Sequence, residues 1–267
     1  MTLDLEFAHL SDPGKQREHN EDYLGHVVPA SAARARSHGW LFVLADGVGG
    51  SEKGEVASRA AVEYLTAGFG EAPESEGLST LLVRLAKEAN VKIYETSRSH
   101  SPGGTSMATT LVACAFRYDR LAVAHAGDSR CYLIRGGQTR LLTRDHTVAQ
   151  EQARMGLLSA KEASEASTRH VLSRSLGTDL FVNIETSDIQ VYAADVVLLC
   201  CDGLYNSVES SEMAAIAGHG GDLSAAAQQL VNIANQRDGS DNISVQLIRV
   251  RSVERVGMYR GRPYKLR

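Results

Sequence analysis

Acidic residues stand at five places where apolar, strand-like runs begin or end. Asp46 closes the run Trp40–Ala45 and is followed by Gly47, Val48, Gly49 and Gly50. Asp202 closes Val196–Cys201 and is followed by Gly203. Asp128 follows Leu121–Ala126, Asp241 and Asn242 precede the run from Ile243, and Glu21 and Asp22 open Tyr23–Val28. Strand ends are rigid, so carboxylates placed there can be held in fixed relative geometry. A glycine beside such an Asp leaves the backbone unshielded, so a carbonyl oxygen can also reach a ligand.

Carboxylates gathered without a cation repel and raise one another's pKa. A hard divalent cation removes that conflict, and Mg²⁺ or Mn²⁺ prefers oxygen ligands in octahedral geometry. Zinc is disfavoured, because no His/Cys cluster has ligand spacing. Two ions roughly 3.5–4 Å apart would share a carboxylate, acidify a bridging water and clamp a phosphate. Taken alone, each Asp-Gly after a strand is more often an ordinary turn. Convergence of the five places is therefore an expectation placed on the fold.

The elements that must position these residues are legible as patterns. Leu3, Leu5 and Phe7 alternate with polar residues, as in a half-buried strand. Trp40–Ala45 and Val196–Cys201 are apolar at every position, which suits strands buried on both faces. Thr109–Tyr118 and Leu121–Ala126 flank a turn, and Arg130–Arg135 and Gln138–Leu142 flank Gly136-Gly137, a hairpin signal. Asn183–Val191 and Ile243–Val250 complete the strands. Helical periodicity marks Glu55–Phe69, a second helix after Ser79, Ser210–Ala217 and Leu223–Gln236. Strands and helices come in clusters without strict alternation, which predicts an α+β fold with largely antiparallel sheets. His146–Arg174 is polar and mixed, with short helical patches, and reads as a flap. The expected organisation is one domain over residues 1–250 and a short tail, Arg251–Arg267.

Composition narrows the function classes. With 267 residues, 43 % hydrophobic and 22 % charged, the chain can bury a core without disulfides and is not disordered. Its net charge of −4 leaves no nucleic-acid footprint. That charge is unevenly spread. Of 28 basic and 32 acidic residues, Arg251–Arg267 holds six basic and one acidic, leaving 22 and 31 in the body. Cys114, Cys131, Cys200 and Cys201 form no C-x-x-C, as in a reduced compartment. No signal peptide is visible, and no apolar run approaches the ~20 residues of a membrane helix. A cytoplasmic location without a membrane span is the expectation.

The order of these pieces resembles the type 2C (PPM family) metal-dependent Ser/Thr protein phosphatases, bacterial type. The matching segments are Arg17-Glu-His-Asn-Glu-Asp22, Ala45-Asp-Gly-Val-Gly-Gly50, Thr109-Thr110-Leu111 and Gly127-Asp-Ser-Arg130. Then come Asp145-His-Thr147, Arg169-His-Val-Leu-Ser-Arg-Ser-Leu-Gly177, Cys201-Asp-Gly-Leu204 and Ser240-Asp-Asn-Ile243. They span about residues 8–250 in family order. The resemblance implies a four-layer α-β-β-α sandwich with two mainly antiparallel sheets and a flap. It implies that Asp46 bridges two Mn²⁺ or Mg²⁺ ions, with the Gly47 carbonyl on the first and Asp202 and Asp241 on the second. Glu21 and Asp22 would lie in the inner or outer coordination sphere, and Asp128 would support a third ion with Asp202. Arg17 would bind the substrate phosphate, a task that suits a planar, always-charged fork.

Two positions depart from the family's pattern. Val48 stands where some relatives have a His proposed as general acid, and Ser106-Met-Ala-Thr-Thr110 lacks the Gly often found before the two Thr. His146 and His170 lie in the flap and are read as structural or solvated. Cys114 and Arg120 fit the C-x₅-R spacing of cysteine phosphatases only by coincidence, since the Cys sits inside a strand. Gly47–Gly54 fails as a P-loop because Glu55 stands where Lys is required. The expected activity is hydrolysis of phosphoserine and phosphothreonine on proteins, opposing a Ser/Thr kinase, by a monomer. Alternatives are a non-catalytic phosphoprotein-binding module of the same fold and a small-molecule phosphatase.

Overall fold

The computed structural model describes residues 2–48, 53–74, 76–100, 107–259 and 262–265. In chain order its elements are β1 (Asp4–Asp12), β2 (Asp22–Val27), α1 (Ala32–Ser37), β3 (Trp40–Asp46), α2 (Gly54–Glu71) and α3 (Leu78–His100). Four strands follow: β4 (Leu111–Arg117), β5 (Arg120–Ala126), β6 (Arg130–Arg135) and β7 (Gln138–Leu141). Next are α4 (Val148–Arg154), α5 (Ala160–Glu165), β8 (Glu185–Gln190), β9 (Val196–Cys200) and α6 (Asp202–Tyr205). The chain continues through α7 (Ser210–Ala217), α8 (Leu223–Arg237), β10 (Ile243–Ser252), β11 (Val256–Tyr259) and β12 (Arg262–Lys265).

Two five-stranded sheets, in the orders β1-β10-β9-β6-β7 and β2-β3-β4-β5-β8, are antiparallel at each of these pairings. The fully apolar runs of the sequence have a simple cause. In β3, Trp40, Phe42 and Leu44 enter the layer between the sheets, while Leu41, Val43 and Ala45 face α2 and α3. In β9, Val197 and Leu199 enter that same middle layer, while Val196, Leu198 and Cys200 face α7 and α8. Side chains alternate across a strand, so a strand with a helix layer on one face and a sheet on the other is apolar at both parities. The result is helix, sheet, sheet, helix, as the resemblance implies. Phe42, Phe116 and Leu121 are wholly buried in the middle layer. Truncating one such Phe to Ala costs about 3–5 kcal/mol.

The helices show the expected signals, with extra ones. Asp222 caps α8 by accepting the N–H groups of Ser224 and Ala225, and Ser159 and Glu162 form a reciprocal capping box on α5. Three features differ from the sequence reading. The short α1 has no helical signal in the sequence, because Ala32–Ser37 has one buried residue and no apolar stripe. β9 stops at Cys200, and Asp202 opens a single helical turn instead of ending a strand. The tail is not plain coil: β10 extends to Ser252, and β11 pairs with β12 in a hairpin. Glu254 is buried there against Arg36 at 2.8 Å. Gly49, Gly50, Ser106 and, in the tail, Arg260 and Arg267 lie outside the described residues.

Candidate active site

Register brings the first two carboxylates together. Asp22 and Asp46 are directly opposed at the paired ends of β2 and β3. Opposed residues share a face, so two like charges meet where sheet pairing alone would disfavour them. The backbone is pinned around them. Asp46 accepts at its carbonyl from Thr110 N–H and Thr109 Oγ1–H, both at 2.8 Å, and its own N–H donates to Thr110 Oγ1 at 3.0 Å. Gly47 N–H donates to the Glu21 carbonyl at 3.1 Å. Asn242, which is buried, accepts from Glu21 N–H and donates to the carbonyls of Pro13 and His19, tying the 13–21 loop to the start of β10.

The glycines after the aspartates serve this packing. A Cβ on Gly47 would come within 2.5 Å of the Gly54 carbonyl carbon and 2.8 Å of the Glu21 oxygen. One on Gly203 would come within 2.1 Å of the Asn242 oxygen. Backbone meets backbone at both places, a closer requirement than the ligand access expected from sequence.

An open cleft of about 1160 Å³ gathers Arg17, Glu21, Asp46, Gly47, Val48, Asp128, Asp202, Gly203 and Asp241 along its walls. Asp22 lies just beneath, with neither carboxylate oxygen hydrogen-bonded. Burial pushes the Asp22 carboxyl up to about 6. Asp46 is held well above the usual carboxylate range by burial and then by the charges of Asp22, Asp202, Asp128 and Asp241. Asp128 is pushed up to about 7 by burial and then by Asp202. Asp202 is raised by burial and Asp241, and Glu21 by burial. A protein-only site of this kind is frustrated: its acids cannot all ionise together. The donor set on the cleft is oxygen, which fits a hard divalent cation.

Every sequence-selected site residue therefore reaches one end of the sandwich. Arg17 does so in an unexpected pairing. Its Nη2 donates to Asp241 Oδ2 at 2.9 Å, both side chains being well exposed. The two flap histidines part ways. His146 is fully buried, accepts Gly127 N–H at Nδ1 and stacks on His125 at 4.7 Å, so it holds the turn before Asp128. His170, read as structural or solvated, is half exposed and lines the cleft beside Arg169, with Nδ1 4.0 Å from Asp202 Oδ2. The segment Arg169–Gly177 was visible in the sequence, but no periodicity showed that its first two side chains face the acids.

Comparisons with known proteins agree with this fold. The family described as Protein phosphatase 2C matches residues 15–247. The chain is similar to the serine/threonine phosphatase stp of Listeria monocytogenes serotype 4b (strain F2365), at 34 % identity over 241 residues, 89 % of this chain and 93 % of that one. It is similar to a solved Streptococcus agalactiae serine/threonine phosphatase with a TM-score of 0.82 and 31 % identity, over 92 % of this chain and all of that one. A solved catalytic domain of the phosphatase PstP, in complex with two manganese ions, gives a TM-score of 0.78 and 31 % identity over 94 % of this chain and all of that one. The matched span begins before Arg17 and ends after Asp241, enclosing the whole acidic cleft, and on that ground the chain belongs to the protein phosphatase 2C family.

Proposed function

We propose that this chain hydrolyses phosphoserine and phosphothreonine on proteins in a reaction that depends on divalent metal. One observation carries the reading: a cluster of buried or half-buried carboxylates outnumbers the two arginines on its cleft, Arg17 and Arg169, and only Arg17 is paired with one of the acids among the described residues. Asp46, Asp202 and Asp241 would hold two Mn²⁺ or Mg²⁺ ions, with the Gly47 carbonyl on the first. Glu21 and Asp22 would support them from the inner or outer sphere, and Asp128 a third ion beside Asp202. When bound, such ions neutralise the carboxylates, polarise phosphoryl oxygens and make water nucleophilic near neutral pH.

The remaining work falls to the chain's own residues. Arg17 is long and half exposed, so it can leave Asp241 and present its planar fork to a phosphate. Thr109, Thr110 and Asn242 keep the backbone of Asp46 and Glu21 from shifting as charge builds. Val48 has no titratable group, so the leaving-group proton comes from another donor. The cleft is open and polar, which suits a side chain presented on a protein surface. Four buried, unpaired cysteines fit a reduced, cytoplasmic compartment, where a Ser/Thr kinase would supply the substrates.

The test is phosphate release from a phosphoprotein and from metabolite phosphates, with Mn²⁺, with chelator and as Asp202→Ala. Metal-dependent release from phosphoprotein, lost in chelator and in Asp202→Ala, is the expected result. Full activity in chelator overturns the metal reading. Binding without turnover in Mn²⁺ marks a non-catalytic module, and preference for metabolites marks a small-molecule phosphatase.

A further inference from the structure

The carboxylate cluster has an inner side where the phosphatase reading leaves one donor, Cys201, unused. There, one oxygen of Asp22, one of Asp46 and the Sγ of Cys201 lie within 4.8 Å of one another. We propose that Asp22, Asp46 and Cys201 form a second, inward-facing metal site selective for a thiophilic divalent cation of the zinc or cadmium class. Its competition with the cleft metals runs through Asp46 and rests on the reading of Asp46 given above; the inner site itself does not.

Three observations support it. Both oxygens of Asp22 are buried and make no hydrogen bond of good geometry, and the polar side chains that bear on this carboxylate include Ser244 and Cys201. Cys201 accepts the N–H of Ser244 at its sulfur, 3.1 Å away. That bond orients the sulfur, while burial and the charges of Asp22, Asp46 and Asp202 hold it as a thiol until a cation arrives. The three donors, one sulfur and two carboxylate oxygens, match the mixed S and O ligands that zinc accepts with a fourth position open. Manganese and magnesium have no use for the sulfur, so the two sides of the cluster select different metals.

The remaining cysteines are placed differently. Cys200 points into the helix layer, and Cys114 and Cys131 share the apolar layer between the sheets with Cys201 but, among the described residues, are not grouped with carboxylates as Cys201 is. The other group of ligand-type side chains, His125, His146 and Glu185, already has its charge met: Arg144 reaches Glu185 at 2.9 Å and Arg174 reaches His146 at 2.9 Å. Its imidazole rings are also parallel, within 4°, so their in-plane lone pairs do not converge on one point. Binding at the inner site is balanced simply. The thiol proton, now donated to the Asn242 carbonyl at 3.3 Å, leaves to solvent as the sulfur–metal bond forms, one proton per ion.

The experiment is titration of the chelator-treated full chain with Cd²⁺ alone, read by ultraviolet cadmium–thiolate charge-transfer absorption. The expected result is a band that saturates at one equivalent, is absent in Cys201→Ser and needs at least tenfold more Cd²⁺ in Asp22→Asn. Asp22→Asn keeps side-chain volume, so it decides the matter if Cys201→Ser fails to fold. No band through several equivalents in the wild type overturns the proposal. So does a band undiminished in Cys201→Ser, or an unchanged titration in Asp22→Asn. Mn²⁺-dependent hydrolysis, measured separately, keeps the two readings apart. Hydrolysis without the band removes the inner site alone, and the band without hydrolysis removes the phosphatase reading alone.

Discussion

Asp195, buried just before β9, receives two nitrogens of Arg135 at 2.8 and 2.7 Å and the Tyr192 N–H at 2.8 Å. Asp145 is served in the same way by Arg130, at 2.9 and 2.6 Å. Asp22, equally buried at the start of β2, receives nothing. The sandwich thus contains two contrasting kinds of buried acid, with Asp119, served by the Gln190 amide at 2.7 Å, between them. One class carries its cation in the sequence, as an arginine fork with good geometry. The other is crowded against like charges and completed only from outside. A buried acid left without its cation destabilises the chain, so its persistence marks a place where a ligand supplies the charge.

The contrast can be tested at its strongest point first. Asp46→Asn should lower Mn²⁺-dependent phosphatase activity by more than about a hundredfold, beyond the ~10–100-fold typical of groups that only support a ligand. It should also remove the rise in melting temperature that Mn²⁺ gives the wild type. Retained activity would erase the distinction between the two classes.

A second test uses pH on the metal-free protein. Asp22 and Asp128 titrate near 6 and 7 when folded, against 3.8 for a free Asp. Between pH ~4 and ~7 the folded chain therefore binds more protons than the unfolded chain. Stability in chelator should fall as pH rises through that window, by a few kcal/mol on the order of magnitude. Saturating Mn²⁺ should flatten the slope. A chelated protein whose urea midpoint is constant from pH 5 to 7.5 would show that these acids are not strained.

Arg135→Ala should do the reverse of Asp46→Asn. It strips the partner from Asp195 and should cost about 2 kcal/mol in denaturant unfolding, discounted from ~3–5 because Arg135 is half exposed. The Mn²⁺-induced rise in melting temperature should persist. The smallest effect belongs to Arg17→Lys, which keeps charge but loses the fork. It should lower kcat/KM on phosphoprotein about tenfold, or ~1.4 kcal/mol, with stability within ~0.5 kcal/mol.

The sequence carried most of the layers and most of the acids on the cleft, for identifiable reasons, but not Asp238, which also lines it. Trp40–Ala45 and Val196–Cys201 are apolar at both parities, a pattern that only a covered sheet explains. Asp46 and Asp202 were conspicuous because they stop those runs. What the sequence did not carry was distance: the opposition of Asp22 and Asp46 is a property of register between strands. Arg17 was legible as a cation but its hold on Asp241, over 200 residues away, was not. The place of His170 on the cleft escaped because a flap has no period to betray which side chain lines a site. The hairpin of β11 and β12 escaped because Gly257 and Pro263 interrupt strands of four residues.

The Gly136-Gly137 turn lies at the far end of β6 from Asp128. Both residues have positive φ, and a Cβ on either would meet nothing within 4 Å. Six strand residues separate it from the acids, about 20 Å of rigid backbone. Chemistry is thus confined to one pole of the sandwich, and the opposite pole is free for engineering. A reporter domain or affinity handle spliced between Gly136 and Gly137 would ride on the molecule without touching the cleft, giving a tagged enzyme whose metal and substrate responses are those of the parent.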